Sequence, residues 1–136
     1  MNKEAIAYVK QDYYSDPRSV LQTLNNLKYR IDGLRRFYKV VIDTTFIEAP
    51  IDDGASLTKR KELSAALKYL EENPHVALLV VGEDHLSNRF EERNELLNLF
   101  LDNNYRLLSG QPLIDLAKPS DQQDLRLRLQ KEKVSR

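Results

Sequence analysis

The segment that most constrains the fold is a run of apolar residues in the middle of the chain. Residues 75–81 read HVALLVV and are followed by a glycine and a charged segment, residues 82–89. A run of this length is too short to cross a membrane and shows no alternation, which is typical of a strand buried on both faces. Such a strand needs helices above and below it, so we expect a sheet with helices on both sides.

The rest of the chain alternates between strand-like and helix-like spacing of apolar residues. Residues 5–9 and 38–47 predict two strands before the central one, and residues 105–108 predict a fourth. Apolar positions three and four apart predict helices over residues 17–34, 58–73 and 88–103. This order predicts an α/β fold of three layers, with a mostly parallel, doubly wound sheet of four to five strands.

The character of the sequence changes after Gly110. Ser120 and Gln123 have the spacing of a capping box that opens a helix. The leucines that follow recur every two positions, at Leu125, Leu127 and Leu129. This spacing suits a helix poorly. We therefore expect residues 1–110 to form the α/β domain and residues 111–136 to form a tail or short helix that is weakly packed or needs a partner.

Composition limits the classes of function. The chain has 21 basic and 21 acidic residues, so no overall charge attracts it to nucleic acid or to an anionic membrane. It has no cysteine and two histidines, which excludes thiol chemistry and argues against a transition-metal site. No segment approaches the roughly 18 apolar residues of a membrane span, and the amino terminus lacks a signal peptide's apolar segment. We expect a cytoplasmic protein without membrane contact and without a cofactor.

The loops that follow the predicted strands define where a site would lie. In an open parallel sheet they all meet at the carboxyl edge, here residues 10–15, 49–60 and 82–89. Only four glycines occur in the chain, and they form neither a dinucleotide-binding nor a P-loop pattern. No serine stands on the sharp glycine-flanked turn of a hydrolase. The chemistry of this edge must therefore come from other motifs.

Three motifs at this edge carry a resemblance. The first strand ends YVKQD (residues 8–12), a Gly/Ser-containing loop leads into DGASLTKRKEL (residues 53–63), and the central strand is followed by EDHLSNR (residues 83–89). In this order they resemble the amino-terminal catalytic domain of the serine recombinases, the resolvase and invertase family, over about residues 4–110. Family members carry Tyr-x-Arg-x-Ser, then an Arg followed closely by Leu at a helix start, then Leu-Asp-Arg-Leu-x-Arg.

The resemblance implies roles for individual residues. In the family, a serine attacks a DNA phosphodiester and becomes joined to the strand end, while arginines stabilise the developing negative charge. Lys10 takes the place of one arginine, and Asp12 takes the place of the nucleophile. The remaining positions match as follows: Arg60 an arginine, Asp84 the aspartate, His85 the next arginine, and Arg89 the last one with a shift of one residue.

The departures from the family pattern predict a domain that does not cleave DNA. Asp12 cannot form serine's stable link, and its carboxylate about 4 Å from a phosphate would cost about 4 kcal/mol at an effective dielectric near 20. Lys10 offers a point charge, whereas the planar guanidinium of arginine would bind a phosphate through two hydrogen bonds, and His85 is mostly neutral at pH 7. We expect a degenerate resolvase-like domain that acts in DNA recombination or its regulation. It would bind DNA, a partner protein, or a second copy through its last helix.

Two other functions stay open. Ser15, three residues after Asp12, would be the nucleophile of an active recombinase or nickase, with the basic residues holding the phosphate. Alternatively, Asp12 and Asp43 at strand ends would act as phosphoacceptor or Mg²⁺ ligands in a small enzyme or sensor.

Several of these residues also have plain structural interpretations. Arg60 would be a solvated residue of a helical first turn, and Asp84 would cap a helix that begins near residue 86. The run RRFYK (residues 35–39) mixes charge with aromatic rings and would suit nucleic acid, although cations at a helix carboxyl end also favour the helix dipole.

Overall fold

Strands and helices alternate along the chain in the computed structural model, which describes residues 3–11, 17–49, 60–87 and 89–134. In these residues the strands are β1 (Lys3–Lys10), β2 (Val40–Glu48), β3 (Ala77–Val80), β4 (Arg106–Gly110) and β5 (Leu113–Asp115). The helices are α1 (Pro17–Tyr38), α2 (Lys61–Glu72), α3 (Phe90–Asp102) and α4 (Pro119–Val134). A 3₁₀ turn, Glu83–His85, follows β3.

The strands form one sheet in the order β2-β1-β3-β4-β5. All neighbours are parallel except β4 and β5, which pair antiparallel. The chain moves outward from β1 to β2 and then returns across β1 to β3, so the strand order reverses between β1 and β3. Right-handed crossovers then require α1 on one face and the later helices on the other. The predicted three-layer α/β fold with a mostly parallel sheet is confirmed.

The two faces of the sheet are covered unequally. Alternating residues of β1 point to opposite faces, with small alanines toward α1 and the larger Ile6 and Tyr8 toward the other helices. Helices α2, α3 and α4 all contribute buried leucines to the larger cluster, whereas α1 alone contributes to the smaller one. Every residue of β3 is buried, as expected for the central strand. Each such leucine or valine stabilises the fold by about 1.5–3 kcal/mol.

Helix α1 runs further than its sequence pattern predicts. It continues past residue 34 to Tyr38, and β2 begins at Val40 instead of residue 38. The hydroxyl of Tyr38 lies 2.5 Å from the carbonyl oxygen of Ser109 and 3.0 Å from that of Ile114. These contacts with β4 and β5 favour the extra helical turn, and Lys39, with a φ of 57°, then reverses the chain.

The segment after Gly110 contains a strand that the sequence pattern did not predict. β5 pairs with β4, and Asp115 accepts two hydrogen bonds from the guanidinium of Arg106, at 3.0 and 2.9 Å. Its three residues are too few to show an apolar period. The predicted boundary at residue 110 stays a prediction, but β5 is hydrogen-bonded into the same sheet.

Helix α4 begins one residue before the predicted capping box, so Ser120 lies inside the first turn instead of capping it. Leu125 and Leu129, four residues apart, are buried in the larger cluster, while Leu127 is 50% exposed. Leu125 and Leu129 therefore form the buried face of the helix, and the exposed Leu127 between them produces the apparent period of two. Arg128 on the same helix donates a 2.9 Å hydrogen bond to the buried Glu83. The expectation of a weakly packed helix is wrong for this face.

We expect opposite effects from alanine at two glycines. Gly33 lies inside α1, and an added Cβ meets no atom within 4 Å, so Gly33→Ala should raise the free energy of unfolding by about 0.5–1 kcal/mol. At Gly110 the added Cβ would lie 2.6 Å from the carbonyl oxygen of Val81, so Gly110→Ala should lower it by about 1–3 kcal/mol. Urea unfolding measures both, and effects of the same sign would contradict this packing.

Acid should weaken the attachment of β5. Burial alone would raise the pKa of Asp115, but hydrogen bonds from Arg106 and from the N–H of Ala117 overcome it and hold this pKa below its usual value. A carboxyl with a depressed pKa stabilises the fold above its unfolded pKa, near 4, and this stability is lost as the pH falls further. Asp115→Asn should therefore be less stable than wild type at pH 7, with the difference shrinking below about pH 4. A pH-independent difference in urea unfolding would contradict this.

Candidate functional site

The carboxyl ends of β1 and β3 meet where the strand order reverses, which is where open α/β sheets bind ligands. The backbone N–H of Lys10, at the end of β1, donates a 3.1 Å hydrogen bond to Nδ1 of His85 in the 3₁₀ turn. Because Nδ1 accepts this bond, a neutral imidazole carries its proton on Nε2. Two predicted site residues that are 75 positions apart are thus in direct contact.

Arg60 is the centre of this edge, and it is buried. Arg60 immediately precedes α2, and its side chain is 3% exposed. Nη1 donates to Oε1 of Glu92 at 3.0 Å, and Nη2 donates to the hydroxyl of Tyr8 and to the carbonyl oxygen of His85, each at 3.0 Å. The guanidinium carbon also lies 5.7 Å from the centre of the Tyr8 ring. The interpretation of Arg60 as a solvated residue is wrong.

Glu48, the last residue of β2, extends the contacts of Arg60 to the start of α2. It accepts a 3.1 Å hydrogen bond from the Tyr8 hydroxyl and further bonds from the backbone N–H groups of Glu62 and Leu63, at 3.0 and 3.2 Å. These N–H groups have no partner within the helix, and a carboxylate is favoured there by the helix dipole. Arg60 itself makes no capping hydrogen bond, so Glu48 caps α2 from a neighbouring strand.

Tyr8 joins the two charged groups of this network. Burial raises the pKa of the Tyr8 hydroxyl far above its usual value, and the carboxylate of Glu48 adds to the rise against the opposing effect of Arg60. The hydroxyl therefore stays protonated, donating to Glu48 and accepting from Arg60. We call Tyr8, Glu48, Arg60 and Glu92 the arginine cluster.

Arg89 lies beside this cluster and faces solvent. Its side chain is 53% exposed, and Nη1 lies 4.0 Å from Oε2 of Glu92. Its backbone N–H donates to Oγ of the buried Ser87 at 3.0 Å. Glu92 therefore serves both arginines, the buried one closely and the exposed one at the limit of an ion pair.

The other predicted residues have mixed outcomes. Asp84 is exposed in the 3₁₀ turn, and because α3 begins only at Phe90, Asp84 does not cap it. Asp12 and Ser15 lie outside the described residues. Asp43 is not at a strand end: it is the unpaired residue of an irregularity in β2 opposite Ala5 and Ile6, five positions before the carboxyl end.

The structure thus brings together Lys10, Arg60, His85 and Arg89, but it surrounds Arg60 with groups that sequence reasoning had not assigned. The sequence pattern assigns no role to Tyr8, Glu48 or Glu92. For two of them it offers only a weak signal: Glu48 is a single carboxylate at the end of an apolar strand, and Glu92 lies three residues after Arg89. Within the described part of the chain, no group of three His, Asp or Glu side chains is placed to hold a metal ion.

Comparison with solved structures identifies the class of fold as that of the serine recombinase catalytic domains. The crystal structure of the N-terminal catalytic domain of TP901-1 integrase matches with a TM-score of 0.68 and 19% identity, covering 96% of this chain and 94% of that one. A resolvase family site-specific recombinase from Streptococcus pneumoniae matches with a TM-score of 0.69 and 14% identity, covering 97% and 89%. The sequence matches no protein-family model and no curated protein sequence.

Removing either charge of the buried pair should destabilise the protein. Arg60→Ala should lower the free energy of unfolding by about 3 kcal/mol, because the largely buried Glu92 loses its close partner and Tyr8 and the His85 carbonyl each lose a hydrogen bond. Glu92→Gln should have a smaller effect of the same sign, and the double variant should lose less than the sum. The control is Arg126→Ala, an exposed residue of α4, expected to change stability by less than about 0.5 kcal/mol. Additive effects in urea unfolding would contradict the coupling.

Proposed function

We propose that this chain is a resolvase-like domain that acts in DNA recombination or its regulation by binding DNA or a partner protein, without cleaving DNA. The fold supports a recombinase-like domain. The observation that carries the proposal is the burial of Arg60, the one arginine that matches the family motif directly. Its Nη atoms are engaged by Glu92, Tyr8 and the carbonyl of His85.

Contact of Arg60 with a phosphate would first require the loss of Glu92. Separating the partners of a buried ion pair costs about 3–5 kcal/mol, and a phosphate arriving beside Glu92 would meet its negative charge. Nε of Arg60 is buried without a hydrogen-bond partner, but one neutralised guanidinium is a poor clamp for a transition state. Arg60 then serves to hold β1, α2 and the 3₁₀ turn together, and Asp12 at the nucleophile position agrees with this role.

The basic groups that are exposed or partly exposed lie around the rim of the cluster. Arg89 is exposed, and Lys10 and His85 are partly exposed. Such groups would contact phosphates without reading sequence, and this binding weakens steeply with salt. With a net charge of zero, the protein has no general attraction to DNA that would mask their contribution. We also propose a cytoplasmic location, because a DNA ligand requires a compartment that contains DNA.

No helix in the described residues is long and apolar enough to span a bilayer.

The test is the affinity for a labelled duplex of mixed sequence, measured between about 50 and 200 mM salt. Arg89→Ala should weaken binding and reduce the salt slope by about 0.9, the value for one lost phosphate contact. Arg89 is preferred to Arg60 here because its side chain is exposed and its loss leaves the fold intact. The control Lys68→Ala removes an exposed charge from α2 and should match wild type.

One result would narrow the proposal, and another would contradict it. Absence of duplex binding at 50 mM salt would eliminate the DNA role and leave a protein partner. A covalent adduct with a nicked duplex, abolished by Ser15→Ala, would show that cleavage is retained and that Ser15 is the nucleophile.

A further inference from the structure

The outward face of α1 carries an excess of positive charge that the rest of the molecule does not share. Residues 28–39 contain five basic side chains and a single acidic one, Asp32, a balance of +4. Because the whole chain is neutral, all other residues together carry −4. The basic side chains that are exposed are Lys28, Arg30, Arg36 and Lys39.

Internal ion pairs neutralise only part of this charge. Asp32 accepts from Arg35 at 2.8 Å and from Arg36 at 2.9 Å, so one carboxylate serves two arginines. No carboxylate of the described residues lies within 4.0 Å of the charged nitrogens of Lys28, Arg30 or Lys39. With respect to the described part of the chain, the face therefore presents three cations without a carboxylate partner and a partly compensated arginine pair.

Two aromatic rings project from the same face. Tyr29 is 83% exposed and Phe37 is 62% exposed. They are eight residues apart, which places them about 12 Å apart along the helix and about 80° apart around its axis. Gly33 lies midway, and apart from its chain neighbours and the backbone of its own helix, no described heavy atom lies within 4 Å of the position its Cβ would take. The rings therefore flank an open gap, with cations beside each of them.

A cleft opens next to this gap. It has a volume of about 310 Å³ and is lined by Arg30, Gly33, Leu34, Val81, Gly110 and Gln111. Arg30 belongs to both the cleft and the basic face, and none of the lining residues belongs to the arginine cluster. The helix surface thus combines projecting rings, cations and a concave edge.

We propose that this face of α1 binds single-stranded nucleic acid, with bases stacked on Tyr29 and Phe37 and phosphates held by the surrounding cations. Unpaired bases stack on aromatic side chains whatever their sequence, while basic residues follow the phosphates. An acidic protein surface, such as α3 of a second copy, would also match the charge, but rings spaced along a row of cations beside a cleft are the arrangement that stacks bases and follows phosphates. The proposal goes beyond the proposed function and does not require any contact at Arg60 or Arg89.

The charge component is tested by fluorescence anisotropy with a labelled 20-nucleotide single strand of mixed sequence. The triple variant Lys28→Gln, Arg30→Gln, Lys39→Gln should bind at least about tenfold more weakly at 50 mM salt, and its salt slope should fall by about 2, as expected for three lost phosphates. The control Lys3→Gln, Lys68→Gln, Lys118→Gln removes the same charge from exposed positions elsewhere and should bind like wild type.

The stacking component is tested in the same assay. Tyr29→Ser with Phe37→Ser should weaken binding by at least about tenfold while leaving the salt slope unchanged, because stacking involves no counterion release. At Gly33, both alanine and glutamate fit the open space, but only Gly33→Glu brings a negative charge between the rings. Gly33→Glu should abolish binding, and Gly33→Ala should retain it.

Equal affinities for the charge variant and its control would overturn the proposal, as would unchanged binding by the aromatic variant. Light scattering that shows wild-type dimers, lost in the charge variant, together with no binding of the single strand, would assign the face to a second copy instead. Arg89→Ala separates this proposal from the preceding one. If it abolishes single-strand binding while the α1 variants retain it, the edge is the site and this inference fails. If duplex binding is absent but the single strand binds through α1, the contact of Arg89 with duplex DNA fails and this inference stands.

Discussion

The buried guanidinium of Arg60 is the interaction on which the geometry of the sheet edge depends. A charge removed from water must be paired and hydrogen-bonded, and here the partners come from three different parts of the chain. Tyr8 lies in the buried part of β1, the His85 carbonyl belongs to the turn after β3, and Glu92 belongs to α3. Glu48, at the end of β2, joins this network through its hydrogen bond with the Tyr8 hydroxyl.

The arginine cluster also changes how the motif that contains Arg60 is interpreted. In the sequence, Arg60 is a candidate phosphate ligand because it stands in the matching position before a helix. In the structure, its Nη1 lies 3.0 Å from a carboxylate oxygen of Glu92, and its side chain is buried. Arg60 is therefore directed inward, whereas Arg89 at the rim is 53% exposed.

The two faces of the sheet are covered by different numbers of helices, and this difference leaves the outer surface of α1 exposed to solvent. Three helices, α2, α3 and α4, share one face of the sheet and bury their apolar residues in the same cluster. Helix α1 covers the other face alone, and its outward side meets no other described element. Charge concentrated on a single helix is then presented to solvent as one surface, although the chain as a whole is neutral.

The sequence by itself determined the α/β class, the central strand and most element positions, because burial of apolar residues leaves a period that can be read locally. It also brought Lys10, His85 and Arg89 to one edge, since parallel strands end together. Only the tertiary structure decided that Arg60 is buried, that Asp43 lies within a strand, and that residues 113–134 join the sheet and its core. These outcomes depend on partners distant in sequence, such as Glu92 for Arg60, and no local period records which distant side chains will meet.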